Sequence, residues 1–262
     1  MKNKRTATIT IANNKGGVGK TTATINLSAG LRNRGYDVLA IDLDGQSNLT
    51  RALTGETGKK PTIYEAIVNP AEVKNLTPQV IKSRDGEKGE LHLISSSRDL
   101  FAGSLELAEA NDRLDRLAKV LKRFEGLYDF VIIDTTPAID LVTINALRVA
   151  DLVIVPTIPH YLSLLGTVDL IVSLKEVKGA NKVDARVLLM QYNARNTSHK
   201  FAENMLQDWQ QPAFKTKVRT NIAVAEAPAV REDIYTYAPK SNGAKDYTAL
   251  TEEVIEWYNI VR

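Results

Sequence analysis

The chain has 262 residues, with 34 basic and 31 acidic side chains for a net charge of +3, and it contains no cysteine. That length buries a large core without disulfides or metals. The lack of cysteine excludes a disulfide framework, a thiolate zinc site, an iron–sulfur cluster and a cysteine nucleophile. The small net charge means that any nucleic-acid surface is a local patch.

The opening run MKNKRTATITIA is basic, then apolar but broken by threonines. It fits a strand over 6–12 better than a signal peptide. No apolar stretch approaches the roughly 20 residues needed to span a bilayer, so a soluble, cytoplasmic protein is expected. A glycine-rich segment, NNKGGVGKTT at 13–22, leads into a predicted helix over 21–34, with Ala23, Leu27 and Leu31 on one face and Gly35 as its stop. Residues 38–41 read as a strand ending in Asp42-Leu43-Asp44. Helices are predicted over 62–68 and 111–124, separated by a polar stretch at 82–90 and a short strand at 91–94. Apolar runs at 130–133, 152–155 and 187–190 complete the strands. Strands apolar on both faces, alternating with helices, predict an α/β fold: a doubly wound, mostly parallel sheet with helices on both faces. With no repeat or linker visible, residues 1–262 are expected to form one domain.

Strand, glycine loop, Lys-Thr and helix in that order form a phosphate-binding loop. Gly16, Gly17 and Gly19 let backbone N–H groups turn inward around phosphate oxygens, with Val18 between them. Lys20 is expected to reach the β- and γ-phosphates and Thr21 to ligate Mg²⁺, with Thr22 in the first turn of a helix whose N-terminus favours anions. The usual G-x-x-x-x-G-K-[ST] spacing requires glycine at 14, where this chain has Asn14. The motif present is K-G-G-x-G-K-T, which adds Lys15 at the mouth of the loop. Asp42 and Asp44, two apart at a strand end, face the same way, towards the edge where ligands of open α/β sheets bind. Asp134 closes the next apolar strand.

This deviant Walker A box resembles that of the ParA/Soj family of DNA-partitioning ATPases, relatives of MinD. The similarity extends along the chain: IDLDGQSNLT at 41–50, YDFVIIDTTP at 128–137, TINAL at 143–147, the 187–195 segment, AVAEAP at 223–228 and YAPKSNGAK at 237–245. The resemblance implies an ATP- and Mg²⁺-dependent P-loop ATPase, with hydrolysis weak alone and stimulated by a partner. It implies that Asp44 orients or activates the attacking water, that Asp42 supports the metal shell, and that Asp134 holds Mg²⁺ through water. It also implies a catalytic role for Lys15, which would cross a homodimer interface to the other subunit's nucleotide. Asn193 and Asn221 are candidate base contacts. Three positions depart from the family pattern: Gly45 where it has proline, Ser47 where it has glycine, and Thr136 where it has proline.

Between Arg186 and Lys245 there are nine basic and five acidic residues. Such an excess suits sequence-independent phosphate contacts. The family resemblance points to Arg195 and Arg219 as non-specific DNA contacts, with Lys200, Lys217, Arg231 and Lys240 as further candidates; Ala223 stands where the family often has arginine. Nucleoid association and a ParB-like stimulating partner follow from the same resemblance. The competing class is a MinD-like or cargo-positioning, ATP-gated scaffold on a membrane or a protein assembly. Against the membrane, the C-terminal segment TALTEEVIEWYNIVR has an apolar face of Leu250, Val254, Trp257 and Val261, but its acids, Glu252, Glu253 and Glu256, outnumber Arg262. Acids oppose binding to anionic lipid, and a helix docked on the core is expected.

Overall fold

The computed structural model describes residues 5–82, 88–178 and 184–261. Part of the polar stretch at 82–90, and Arg262, lie outside the described residues. Seven strands form one sheet: β1 (Ala7–Ile11), β2 (Val38–Leu43), β3 (Gln79–Ile81), β4 (Leu91–Ile94), β5 (Phe130–Thr135), β6 (Leu152–Thr157) and β7 (Asp184–Leu189), in the spatial order β3-β4-β2-β5-β1-β6-β7. All neighbouring pairs are parallel except β3 with β4. Every residue of β1, β2, β5 and β6 is buried, as expected for parallel strands covered on both faces.

Helix α1 (Lys20–Asn33) packs on one face together with α11 (Asn242–Val261). Tyr247, Leu250, Val254 and Trp257 join Ile25, Leu27 and Leu31 in that core. The docking expected of the C-terminal helix is therefore present, although Val261 at its end is 36% exposed. Trp257 Nε1 donates to Asp184 Oδ2 at 2.7 Å, fastening α11 to the start of β7. The other face is covered by α3 (Ile63–Val68), α4 (Leu100–Leu107), α5 (Arg116–Lys122) and α6 (Leu141–Val149). Further along that layer lie α7 (Tyr161–Lys178) and α8 (Thr197–Asp208). Three shorter helices are α2 (Asn48–Thr54), α9 (Ile222–Glu226) and α10 (Ile234–Tyr237), with a 3-10 turn at Ala227–Val230 between the last two.

Four predicted elements have different bounds. The helix expected over 111–124 is confined to α5. Asn145 of α6 takes Leu117 N–H on its Oδ1 (3.1 Å) and donates Nδ2 to Arg113 C=O (2.7 Å), which draws the preceding backbone into turns. The strand expected at 38–41 continues through Leu43, and that at 130–133 through Thr135, so Asp42 and Asp134 lie within strands. The helix predicted over 62–68 starts at Ile63, with Thr62 as N-cap in a reciprocal capping box with Glu65.

Candidate functional site

The loop from Asn13 to Gly19 joins β1 to α1 at the C-terminal edge of the sheet. Gly17 (φ 73°) and Gly19 (φ 94°) hold left-handed backbone conformations that suit glycine. A Cβ on Gly19 would stand 2.8 Å from the Met190 side chain. Lys20 is buried, and its ammonium donates to the carbonyls of Asn13 (3.2 Å) and Lys15 (3.0 Å), so the lysine closes the loop on itself. Burial pushes its pKa down, opposed by the charges of Asp134 and Asp44. Asn13, passed over in the sequence reading, pins the loop: its Oδ1 accepts from Lys15 N–H (2.9 Å) and its Nδ2 donates to Pro156 C=O (2.7 Å).

Two carboxylates, Asp134 and Asp44, act on this lysine, and Asp42 lies beside Asp134. Asp42 and Asp134 are paired in register across β2 and β5, and Ile11 flanks Asp134 on β1. Thr21 Oγ1 donates to Asp134 Oδ2 at 2.7 Å, and Thr24 Oγ1 to Oδ1 at 3.3 Å. Burial, then the neighbouring Asp42 charge, pushes Asp134 up to about 8; burial raises Asp42 to about 6. Asp42 is tied inward by Thr50, which donates to Oδ2 through N–H (2.8 Å) and Oγ1 (2.6 Å). Asp44 lies just past the strand, where its Oδ1 accepts from Gln46 N–H at 2.9 Å. Ser47 then adopts a left-handed φ of 56° to enter α2, which gives a physical reason for glycine at that position in the resemblance. Among the described residues no three acidic or histidine side chains converge as an all-protein metal cage. Thr21 and Asp134 nevertheless present hard oxygens side by side in a site rich in negative charge. That donor set fits Mg²⁺, which takes one or two protein ligands and completes its shell with water and phosphate.

The Lys15 side chain, unlike its backbone, takes no part in closing the loop. Its ammonium donates to Leu162 C=O at 2.8 Å, and its Cε lies 3.5 Å from where a Cβ on Gly166 would stand, so the side chain lies along the start of α7. A side chain at Gly16 or Gly17 would meet no atom of this chain within 4 Å. A cleft of about 480 Å³ opens beside Thr21 and Thr22, bounded by Asn48, Arg51, Gly55 and Arg231. A cavity of about 560 Å³ lies further along α1, beside Ile25, Arg32 and Val80, away from the three acids.

The remaining predicted residues are scattered. Asn193 Oδ1 accepts from Arg195 N–H (3.0 Å) in a local turn, and Asn221 caps α9 by accepting from Ala223 N–H (2.9 Å). Arg195, Lys200 and Lys240 are exposed. Lys217 is paired with Glu203 and lies over the Tyr192 ring, and Arg219 is paired with Asp246 at 2.5 Å. The Arg231 guanidinium lies against Gly55, at the end of α2, and its own φ is 61°. The six basic residues are thus divided between free and neutralised positions beside different elements.

A parallel sheet carrying a glycine loop, a loop-closing lysine and buried strand-end carboxylates defines the P-loop nucleoside-triphosphatase class. Residues 6–187 match the family model described as "AAA domain". The Soj protein of Bacillus subtilis, named a sporulation initiation inhibitor, is 34% identical over 251 residues, 94% of this chain and 97% of that protein. The chromosome-partitioning ATPase Soj of Thermus thermophilus is 35% identical, covering 94% of each chain. The chain belongs to the Soj/ParA family of partitioning ATPases. Its fold matches MinD of Pyrococcus horikoshii complexed with Mg-ADP, with a TM-score of 0.78 at 24% identity over 97% of this chain and 98% of that one. It likewise matches cobyrinic acid a,c-diamide synthase of Mycobacterium smegmatis bound to an ATP analogue and magnesium, with a TM-score of 0.81 at 24% identity over 98% and 97%.

Proposed function

We propose that this protein is an Mg²⁺-dependent ATPase that dimerises around two nucleotides, binds DNA without sequence preference in that state, and partitions a DNA cargo with a ParB-like stimulating protein. The observation that carries the reading is the division of labour between the two lysines. Lys20 is spent on its own loop, whereas Lys15 rests on the exposed side of α7. The open space around Gly16 supports the same reading, because nothing in this chain requires a glycine there. A second body approaching the loop closely does require one.

In this reading Thr21 and Asp134 hold Mg²⁺, which supplies charge neutralisation at the phosphates. Lys20 and the backbone N–H groups from Gly16 to Thr22 hold the β- and γ-phosphates. Asp44 orients the attacking water, and Asp42, locked by Thr50, supports the loop between them. Lys15 leaves Leu162 and reaches the partner's nucleotide, adding a cation where charge develops; a cation so placed in phosphoryl transfer is worth roughly 10³–10⁵ in rate. Loss of the γ-phosphate contacts then releases the dimer. Arg195, Lys200 and Lys240 are the basic residues best placed for DNA, and Asn193 and Asn221 flank the base.

The test is Lys15→Gln. ATP binding by equilibrium dialysis should stay within a few fold of the wild type, while the ATP-dependent dimer seen by sedimentation and the stimulated turnover should both be lost. Unchanged stimulated turnover removes the intersubunit role.

A further inference from the structure

Helix α4 touches the loop that follows β2 and the first turn of α6. On one side, a Cβ at residue 45 would stand 3.0 Å from three atoms of the Phe101 ring. Gly45, one residue past Asp44, is buried beneath that ring. On the other side, Gly103 lies against Val142, and Ser104 Oγ accepts from Val142 N–H at 3.4 Å at the start of α6. Phe101 is not a core residue: it is 58% exposed and belongs to none of the three apolar clusters. Half-exposing a large ring forgoes much of the free energy of its burial, so core packing does not account for its placement.

We infer that Phe101 is a positioning residue for hydrolysis: its ring clamps the Gly45 backbone and so holds the Asp44 carboxylate in one orientation. The inference rests on the reading of Asp44 as the water-orienting group. Asp44 itself is restrained by short-range bonds: its N–H donates to Asp42 Oδ1 (3.2 Å), its Oδ1 accepts from Gln46 N–H, and its carbonyl accepts from Ser47 N–H (2.8 Å). Glycine at 45 gives this short loop the greatest backbone freedom of any residue. The ring removes that freedom from outside the loop. A Cβ at residue 45 would crowd the ring and push it back by a few tenths of an ångström, so the two residues are matched in size.

Steady-state ATPase assays of the full chain with ATP and Mg²⁺ test the clamp. Phe101→Ala should lower kcat about tenfold, with KM for ATP within twofold. That is a fraction of the roughly 10²-fold cost of a 1 Å misplacement. Phe101→Leu, which keeps apolar bulk over residue 45, should recover most of the rate. Gly45→Ala, which pushes the ring back slightly, should reproduce part of the loss, and the Gly45→Ala/Phe101→Ala double variant should be no slower than Phe101→Ala alone. Full activity of Phe101→Ala alongside an inactive Asp44→Ala overturns the clamp and leaves the reading of Asp44 intact. An Asp44→Ala enzyme that turns over normally removes that reading, and the clamp with it. A rise in KM that matches the loss of kcat, or no recovery with leucine, also rejects the clamp.

Discussion

Asp134→Asn should abolish a pH-dependent loss of stability that the buried carboxylates build into the ligand-free protein. Asp134 has a native pKa of about 8, raised from an ordinary value of 3.8 first by burial and then by the Asp42 charge. Between those two values the folded chain keeps a proton that the unfolded chain has released, so stability falls as pH rises. The slope is roughly 1.4 kcal/mol per pH unit. From pH 6 to pH 7.5 this amounts to about 2 kcal/mol, or on the order of 4–8 °C in melting temperature for a chain of this size. Asparagine retains a carbonyl oxygen to accept from Thr21 but has nothing to ionise. The assay is a series of thermal melts in EDTA at fixed ionic strength, comparing wild type with variant. The difference between them cancels titrations remote from Asp134, such as that of His199, whose pKa is lowered by burial. The variant should gain on the wild type by about 2 kcal/mol across that interval. A constant difference at every pH refutes the raised pKa assigned to Asp134.

Asp44→Ala should bind ATP yet accumulate as a nucleotide-bound dimer, visible by sedimentation; rapid turnover by this variant would show that another group orients the water. Arg195→Glu with Lys200→Glu should weaken binding to arbitrary DNA and flatten its dependence on salt, measured by fluorescence anisotropy over a salt series. Arg219→Ala, which leaves Asp246 unpaired, should instead lower the melting temperature, because the carboxylate it faces is almost wholly buried. Ser47→Gly should raise stability by about 1 kcal/mol, since only glycine adopts the left-handed conformation of residue 47 without a steric cost, and a denaturant melt reads this directly.

The sheet and the phosphate loop were legible because both are written locally. An apolar run flanked by helical patterns declares a parallel strand, and K-G-G-x-G-K-T declares its own geometry. What escaped was set by contacts distant in sequence. Helix α7 includes fully buried Leu164, Leu170 and Leu174 beside exposed Leu162 and Val172, so no single apolar stripe announces it. Strand β3 is three residues long and largely exposed, which leaves almost no pattern to read. Lys217 and Arg219 looked like free cations because Glu203 and Asp246, their partners, lie 14 and 27 residues away. Asp42 and Asp44 were correctly read as neighbours at the sheet edge, but Thr50, which ties Asp42 inward, carries no signal until α2 folds back.

Strand order has a consequence for how the molecule moves. β2, β5 and β1, which carry the glycine loop and the buried acids, lie side by side within the sheet, with other strands beyond them on both flanks. Amides there should exchange with solvent only through global opening, whereas α4, α7 and the connecting loops open locally and more often. The protein can therefore pass through a cycle of ligand states while its centre stays closed. Hydrogen exchange should register that cycle at the periphery, around Phe101 and Leu162, and leave the strands beneath it silent.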